Sequence, residues 1–150
     1  MMELTKAGTS DALVINSISK RAFESDIAVV APSKTGPPGY QSVSFHVKMA
    51  KANHLYKLSV DDLIAGGAIL FMNGFQLNIG RIFLDPEYFR KGYGIFIMQE
   101  IERIFPDAKE IFLDTPVWNI RTNAFYQKLD YIEYKKDDEF IYYIKQKNLL

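Results

Sequence analysis

Ten residues, Asp85-Pro86-Glu87-Tyr88-Phe89-Arg90-Lys91-Gly92-Tyr93-Gly94, set two glycines and two adjacent cations between two apolar runs. The run before them, Leu77 to Leu84, reads as a strand. The run after them, Ile95 to Phe105, spaces Ile97, Met98, Ile101, Ile104 and Phe105 along one face of a helix. A strand, a glycine loop and a helix in that order suit anion binding. The first N–H groups of a helix have no partner within it, and they sit at the positive end of its dipole. Glycines admit an anion close to the backbone, and Arg90 and Lys91 add charge. An isolated Gly-x-Gly is weak evidence, because turns use glycine anyway. Two other phosphate motifs are missing. The third glycine of the dinucleotide fingerprint would fall on Ile97, and no Gly-Lys-Ser or Gly-Lys-Thr occurs.

A second segment, Asn119-Ile120-Arg121-Thr122-Asn123-Ala124-Phe125-Tyr126-Gln127-Lys128-Leu129-Asp130-Tyr131, sharpens the reading. Together the two segments resemble the GCN5-related N-acetyltransferase (GNAT) family. That family's strand–loop–helix motif ends in Gln/Arg-x-x-Gly-x-Gly/Ala and cradles the pyrophosphate of coenzyme A. Its later motif has Asn, then Phe/Leu-Tyr, then Lys-x-Gly-Phe/Tyr. Here Asn119, Phe125-Tyr126, Lys128 and Tyr131 stand in that order and spacing. The resemblance covers Leu63 to Lys145, and residues 1–60 fit loosely. Three positions depart from the pattern. Phe89 stands at the Gln/Arg position, with Arg90 next to it. Asp130 replaces a glycine, and Asp tolerates the left-handed conformation better than most residues. Asn78 stands where many members carry a strand glutamate.

The resemblance implies acetyl-CoA as co-substrate and an N-acetyltransferase that passes the acetyl group directly to a primary amine of a small molecule or peptide. It implies Tyr126 as the general acid beside the sulfur; an unperturbed tyrosine, with a pKa of about 10, stays protonated at neutral pH. It implies backbone pairing of Ile82, Phe83 and Leu84 with the pantetheine arm. It gives the pyrophosphate to backbone groups of Arg90, Lys91, Gly92, Tyr93, Gly94 and Ile95, and a hydrogen bond to the pantetheine to Asn119. As a plain helix cap Asn119 is equally well explained. Lys128 reads either as a contact to the adenosine 3′-phosphate or as an exposed helical lysine. Tyr40 sits in the loop where this fold shapes its acceptor site, and Glu24 and Asp26 flank that loop; all three read equally as surface residues. His46 reads as a packed partner, not a base.

The general base is open. Asn78 is not basic in water. A carboxylate such as Glu24 or Asp85, a water relay with Asn78 as one member, or an acceptor that arrives neutral would each serve; the relay is the preferred expectation. A CoA-binding sensor or partner module that has lost efficient catalysis is the alternative function.

Composition bounds the rest. A chain of 150 residues with 48% hydrophobic residues can bury the core of one domain. The 18 basic and 18 acidic residues cancel, so nothing points to nucleic acid. With no cysteine there is no disulfide, thiolate–metal site or cysteine nucleophile, and His46 and His54 alone fall short of a metal cluster. No apolar run reaches membrane-spanning length, and the first residues carry no signal-peptide core. A soluble cytoplasmic protein is expected, and a homodimer is a family-level expectation.

Punctuation and periodicity predict the elements. Met2–Thr5 is a strand. Ser10-Asp11 caps a helix over 11–24 whose apolar stripe is Leu13, Val14, Ile18 and Phe23. Three prolines and two glycines make 32–40 a loop, and a helix follows over 41–52. Strands run from His54 to Val60 and from Leu63 to Met72. A hairpin at Asn73-Gly74 then leads into Phe75–Leu84, which is apolar on both faces and so central. Pro106-Asp107 ends the long helix, Ile111–Asp114 is a strand, and a short helix carries Ile120 to Leu129. A hairpin, Tyr131–Tyr134 with Phe140–Lys145, closes the chain. This is an α+β fold, a mixed and mainly antiparallel sheet with helices on both faces.

Overall fold

The computed structural model describes residues 1–26 and 36–147. Among these, seven strands form one sheet: β1 (Met2–Lys6), β2 (Leu55–Val60), β3 (Leu63–Asn73), β4 (Gln76–Leu84), β5 (Glu110–Pro116), β6 (Ile132–Lys136) and β7 (Phe140–Gln146). Their spatial order is β1-β2-β3-β4-β5-β7-β6. Every pairing is antiparallel except β4 with β5. Helices α1 (Ala12–Glu24) and α2 (Val43–Lys51) cover one face; α3 (Tyr93–Ile104) and α4 (Ile120–Lys128) belong to the other.

Each face has its own core. Ile15, Ile18 and Ala22 of α1 meet Leu55, Ile69 and Phe83. Ile97, Met98 and Ile101 of α3 meet Leu58, Leu70, Leu77 and Ile111. The predicted stripe of α1 is corrected here. Leu13 and Val14 are 69% and 49% exposed, and the buried set is Ala12, Ile15, Ile18, Ser19 and Ala22. That set keeps helical spacing but uses small residues, which bring the helix close to the sheet. Ser19 is satisfied there, since its hydroxyl donates to the Tyr40 carbonyl at 2.7 Å.

Strand β4 is central, as predicted, but not buried on both faces. Leu77 and Ile79 are buried toward α3, while Gln76 and Asn78 on the other face are exposed. Helices α1 and α2 reach only the far half of the strand, at Phe83. The predicted loop falls on residues 32–40, of which 32–35 lie outside the described residues. From Gly36 the chain makes two tight turns, closed by Tyr40 N–H to the Pro37 carbonyl and Ser42 N–H to the Gly39 carbonyl, both 3.0 Å. Ser42 then caps α2 through the Phe45 N–H. Asp130 has a φ of 70°, the left-handed region read for it from sequence.

Two irregularities matter for function. Ile69 pairs with Arg81 and Leu70 with Ile79, so Gly80 is an extra residue, a bulge in β4. Only three register pairs join β4 to β5, ending at Asn78 with Phe112. Beyond them the two strands part.

The bulge depends on a missing side chain. A Cβ on Gly80 would stand 2.9 Å from Phe71 Cε2 and 3.2 Å from the Ile69 carbonyl oxygen. Gly80→Ala is expected to destabilise the fold by roughly 1–3 kcal/mol, the usual cost of overpacking, read from the urea midpoint. An unchanged midpoint would mean that β4 absorbs a side chain there.

Candidate active site

The parting of β4 and β5 opens a cavity of about 670 Å³. One wall is Ile79 to Ile82 of β4. The facing wall is Leu113, Asp114 and Thr115 of β5, continued by Trp118, Asn119 and Tyr126. Pro37 and Pro38 close one end, and Asp138 to Phe140, from the β6–β7 turn, line it as well.

On the β4 wall, alternation decides which backbone groups face the gap. The Asp85 N–H donates to the Ala65 carbonyl of β3 at 2.8 Å. Counting back by twos, the peptide groups of Phe83 also face β3, and those of Ile82 and Leu84 face the opening. Phe83 instead places its ring in the α1 core, where it is 4% exposed. Of the three residues named from sequence, two therefore offer free strand-edge groups. Arg81 sits between them and the Pro37-Pro38 turn. Its Nη2 donates to the Pro38 carbonyl, and its guanidinium carbon lies 4.6 Å from the Phe45 ring centroid. It pins the turn to the strand.

The glycine loop leads into α3. Arg90 and Gly92 both adopt positive φ, 63° and 84°, so the chain turns sharply twice. Gly92 is the N-cap and has no side chain to cap with. The first bond of the helix is Phe96 N–H to the Gly92 carbonyl. The N–H groups of Tyr93, Gly94 and Ile95 therefore have no partner inside the helix. Arg90 and Lys91 are exposed beside them. Gly94 also makes room for α4. A Cβ there would meet Phe125 Cζ at 3.3 Å, so α4 packs directly on the first turn of α3.

On the β5 wall stand two titratable groups. Tyr126 packs its ring against Phe125, Tyr131 and Tyr143, with centroids 5.4, 6.0 and 6.2 Å away. Burial, with a smaller contribution from the Asp114 charge, pushes its hydroxyl up to about 12. It stays protonated across any working pH. Asp114 is reached by solvent through the cavity, yet the protein around it removes enough water to raise its pKa, and the Asp137 charge raises it further. Asp137 is itself held low and ionised by the N–H groups of Phe140 and Glu139 and by the Tyr142 hydroxyl.

Asn119 is buried at the start of α4, where its Oδ1 accepts from the Thr122 N–H at 3.1 Å. It is a cap and a cavity-wall residue at once. Asp26, two residues past the end of α1, also lines the cavity. Its Oδ1 accepts from Arg121 Nη2 at 3.0 Å, and burial raises its pKa against the pull of Arg121 and Asn119.

The other candidates read from the sequence are placed differently. Tyr40 is buried with its hydroxyl on Glu24 Oε2 at 3.0 Å, and Glu24 also accepts from Lys20 at 2.9 Å. These two hold the turn on α1 and do not line the cavity. Asn78 is exposed on β4, on the face it shares with Arg81 and one residue before the cavity wall begins. Asp85 is taken by Arg21 at 2.6 Å and by the Glu87 N–H. His46 is fully buried with Nδ1 on the Ser42 carbonyl, and burial lowers its pKa. Lys128 is exposed at the end of α4. The residue that sequence reasoning passed over is Asp114. Its signal was a lone carboxylate ending an apolar strand, just before the Asn119 motif.

Residues 20–131 match a family model described as Acetyltransferase (GNAT) family. No curated protein matches the sequence. Among solved structures, the PaiA N-acetyltransferase of Thermoplasma acidophilum in complex with coenzyme A superposes with a TM-score of 0.86 at 17% identity, over 98% of this chain and 99% of that one. A GNAT-family acetyltransferase of Streptococcus agalactiae gives 0.85 at 14%, over 98% and 96%. An acetyltransferase of Thermus thermophilus gives 0.81 at 11%, over 97% of each. At these identities the structural likeness establishes the fold.

The raised Asp114 predicts a stability effect with a definite sign. A carboxyl harder to ionise folded than unfolded costs stability wherever it is ionised. Asp114→Asn is therefore expected to raise Tm at pH 7. The gain should fade as pH falls through the raised folded value and vanish below about 3.9, the unfolded carboxyl value. A variant that melts lower than the parent at pH 7 would contradict this electrostatic account.

Proposed function

The chain belongs to the GNAT acetyltransferase family, and we propose that it transfers the acetyl group of acetyl-CoA directly to a primary amine of a small molecule or peptide. The observation that carries this reading is that one cavity, between the parted β4 and β5, is lined by both Tyr126 and Asp114. Burial raises both, so Tyr126 keeps its proton at about 12 while Asp114 becomes a better proton acceptor than an ordinary carboxylate.

Binding follows from the open backbone. The pantetheine arm carries amides and adds to the free edge of β4 at Ile82 and Leu84, as a peptide adds to a sheet. The pyrophosphate sits on the N–H groups of Tyr93, Gly94 and Ile95, with Arg90 and Lys91 adding charge. Asn119 keeps the start of α4 beside the arm.

Chemistry follows from the β5 wall. An alkylammonium, with a pKa near 10.4, must first release a proton to solvent, and only its neutral form attacks. As the nitrogen–carbon bond forms, the remaining N–H protons turn acidic, and the Asp114 carboxylate takes one. The carbon–sulfur bond breaks, and charge gathers on sulfur. The Tyr126 hydroxyl donates a hydrogen bond to that sulfur. With a pKa of about 12, Tyr126 is a weaker acid than a thiol, whose pKa is about 8.5. Its main part is to stabilise developing charge, and the proton that Asp114 took from the nitrogen passes on to the thiolate. Asp114 supersedes the Asn78 relay, because it is the carboxylate in the cavity whose proton affinity is raised without a cationic partner among the described residues.

Thiol release from acetyl-CoA with a panel of amines tests the activity. Tyr126→Phe is expected to lower kcat by roughly 10²-fold with CoA affinity nearly intact, and Asp114→Asn by at least as much, with loss of the acidic limb of kcat/KM. Turnover within twofold of the parent in both would remove them from the chemistry. Arg90→Glu with Lys91→Glu should weaken CoA by about tenfold or more, read by calorimetry. CoA binding with no turnover on any amine would instead assign the chain to the sensor class.

A further inference from the structure

The ion pair between Asp26 and Arg121 joins residues 95 positions apart. It ties the end of α1, which packs on the β3–β4 side, to α4, which follows β5. It thus spans the two arms of the opening, and Asp26 is part of the cavity wall. Arg121 reaches a second element as well. Its guanidinium carbon lies 5.1 Å from the ring centroid of Phe89, in the loop that leads into α3. Four residues further along α4, on the same helical face, Phe125 touches the first turn of α3 at Gly94. The face of α4 that carries Arg121 is therefore the face packed on the first turn of α3, the turn that holds Tyr93, Gly94 and Ile95.

The pair is unevenly matched. Asp26 has 15% of its side chain exposed, and its burial opposes its charge even with Arg121 beside it; Arg121 has 42% exposed and no other carboxylate partner among the described residues. A phosphate offers a guanidinium more charge and a bidentate geometry. We propose that Arg121 is a phosphate-binding residue of the acetyl-CoA site, and that Asp26 competes with the CoA phosphates for it. Arg121 then supplies from α4 the cation that Phe89, at its place in the loop, cannot. This inference rests on the acetyl-CoA reading given above.

Competition makes a sign that a mere brace would not. Kd is measured by calorimetry for CoA and, as a probe without phosphates, for S-acetylpantetheine. The parent is compared with Arg121→Gln, Asp26→Asn and the double variant, each checked for an intact melting transition. Arg121→Gln is expected to weaken CoA about tenfold and leave S-acetylpantetheine unchanged. Asp26→Asn is expected to tighten CoA about threefold, because it frees the guanidinium. In the Arg121→Gln background, Asp26→Asn should do nothing to CoA binding. The proposal is overturned if Arg121→Gln binds CoA as the parent does, if it weakens both probes equally, or if Asp26→Asn weakens CoA. Failure of the parent itself to bind CoA is a different result, and it would sink the acetyl-CoA reading first.

Discussion

A single constraint underlies the site: β4 and β5 are parallel neighbours that stay paired for only three residues. An antiparallel pair can be held by a hairpin, but this one is joined through α3, and its far ends are free to diverge. Gly80 bends β4 at the point of divergence, and Pro116 ends β5 without an N–H to give. The result is an internal strand with one edge unpaired. Such edges are costly in water-poor surroundings and tend to recruit another strand-like partner. An amide-bearing arm meets that need without changing the fold, and the sheet's defect becomes its binding slot.

The same defect sorts the carboxylates. Glu24, Asp85 and Asp26 all lie near the α1 side, and each has a cation or a donor in contact. Glu24 and Asp85 hold the turn and the loop, and Asp26, although it lines the cavity, is engaged by Arg121. Asp114 differs because it lines the gap with no cation on it among the described residues. Loss of water raises its pKa first, and the like charge of Asp137, kept ionised by two backbone N–H groups and a tyrosine hydroxyl, adds to it. Stability is thereby spent on a group whose proton affinity is raised, which is the common pattern at catalytic positions. Burial raises Tyr126 as well, and for a phenol that means it keeps its proton.

Much of this was legible in the sequence. The element order followed from sharp local signals such as Asn73-Gly74 and Pro106-Asp107, and the glycine loop and the Asn119–Tyr131 segment carried the family pattern. What failed was whatever depends on a distant partner. Leu13 and Val14 look like a core stripe until α1 is seen to seat itself through Ala12, Ser19 and Ala22. Tyr40 and Glu24 both look like acceptor contacts until they are seen bonded to each other. Asn78 drew attention because of what stands there in relatives; it shares its face of β4 with Arg81 but stands one residue short of the cavity wall. Asp114 escaped notice because its meaning depends on β4 leaving β5, and no local pattern records where a strand pair ends.

The central claim is that the gap between β4 and β5 seats the arm of CoA with its sulfur at Tyr126. A crystal structure of the complex with CoA tests it most directly. The account predicts pantetheine amides hydrogen-bonded to the backbone of Ile82 and Leu84, and the sulfur within hydrogen-bonding reach of the Tyr126 hydroxyl on the side of Asp114. CoA bound with its arm outside the gap, or with its sulfur turned away from Tyr126, would contradict it.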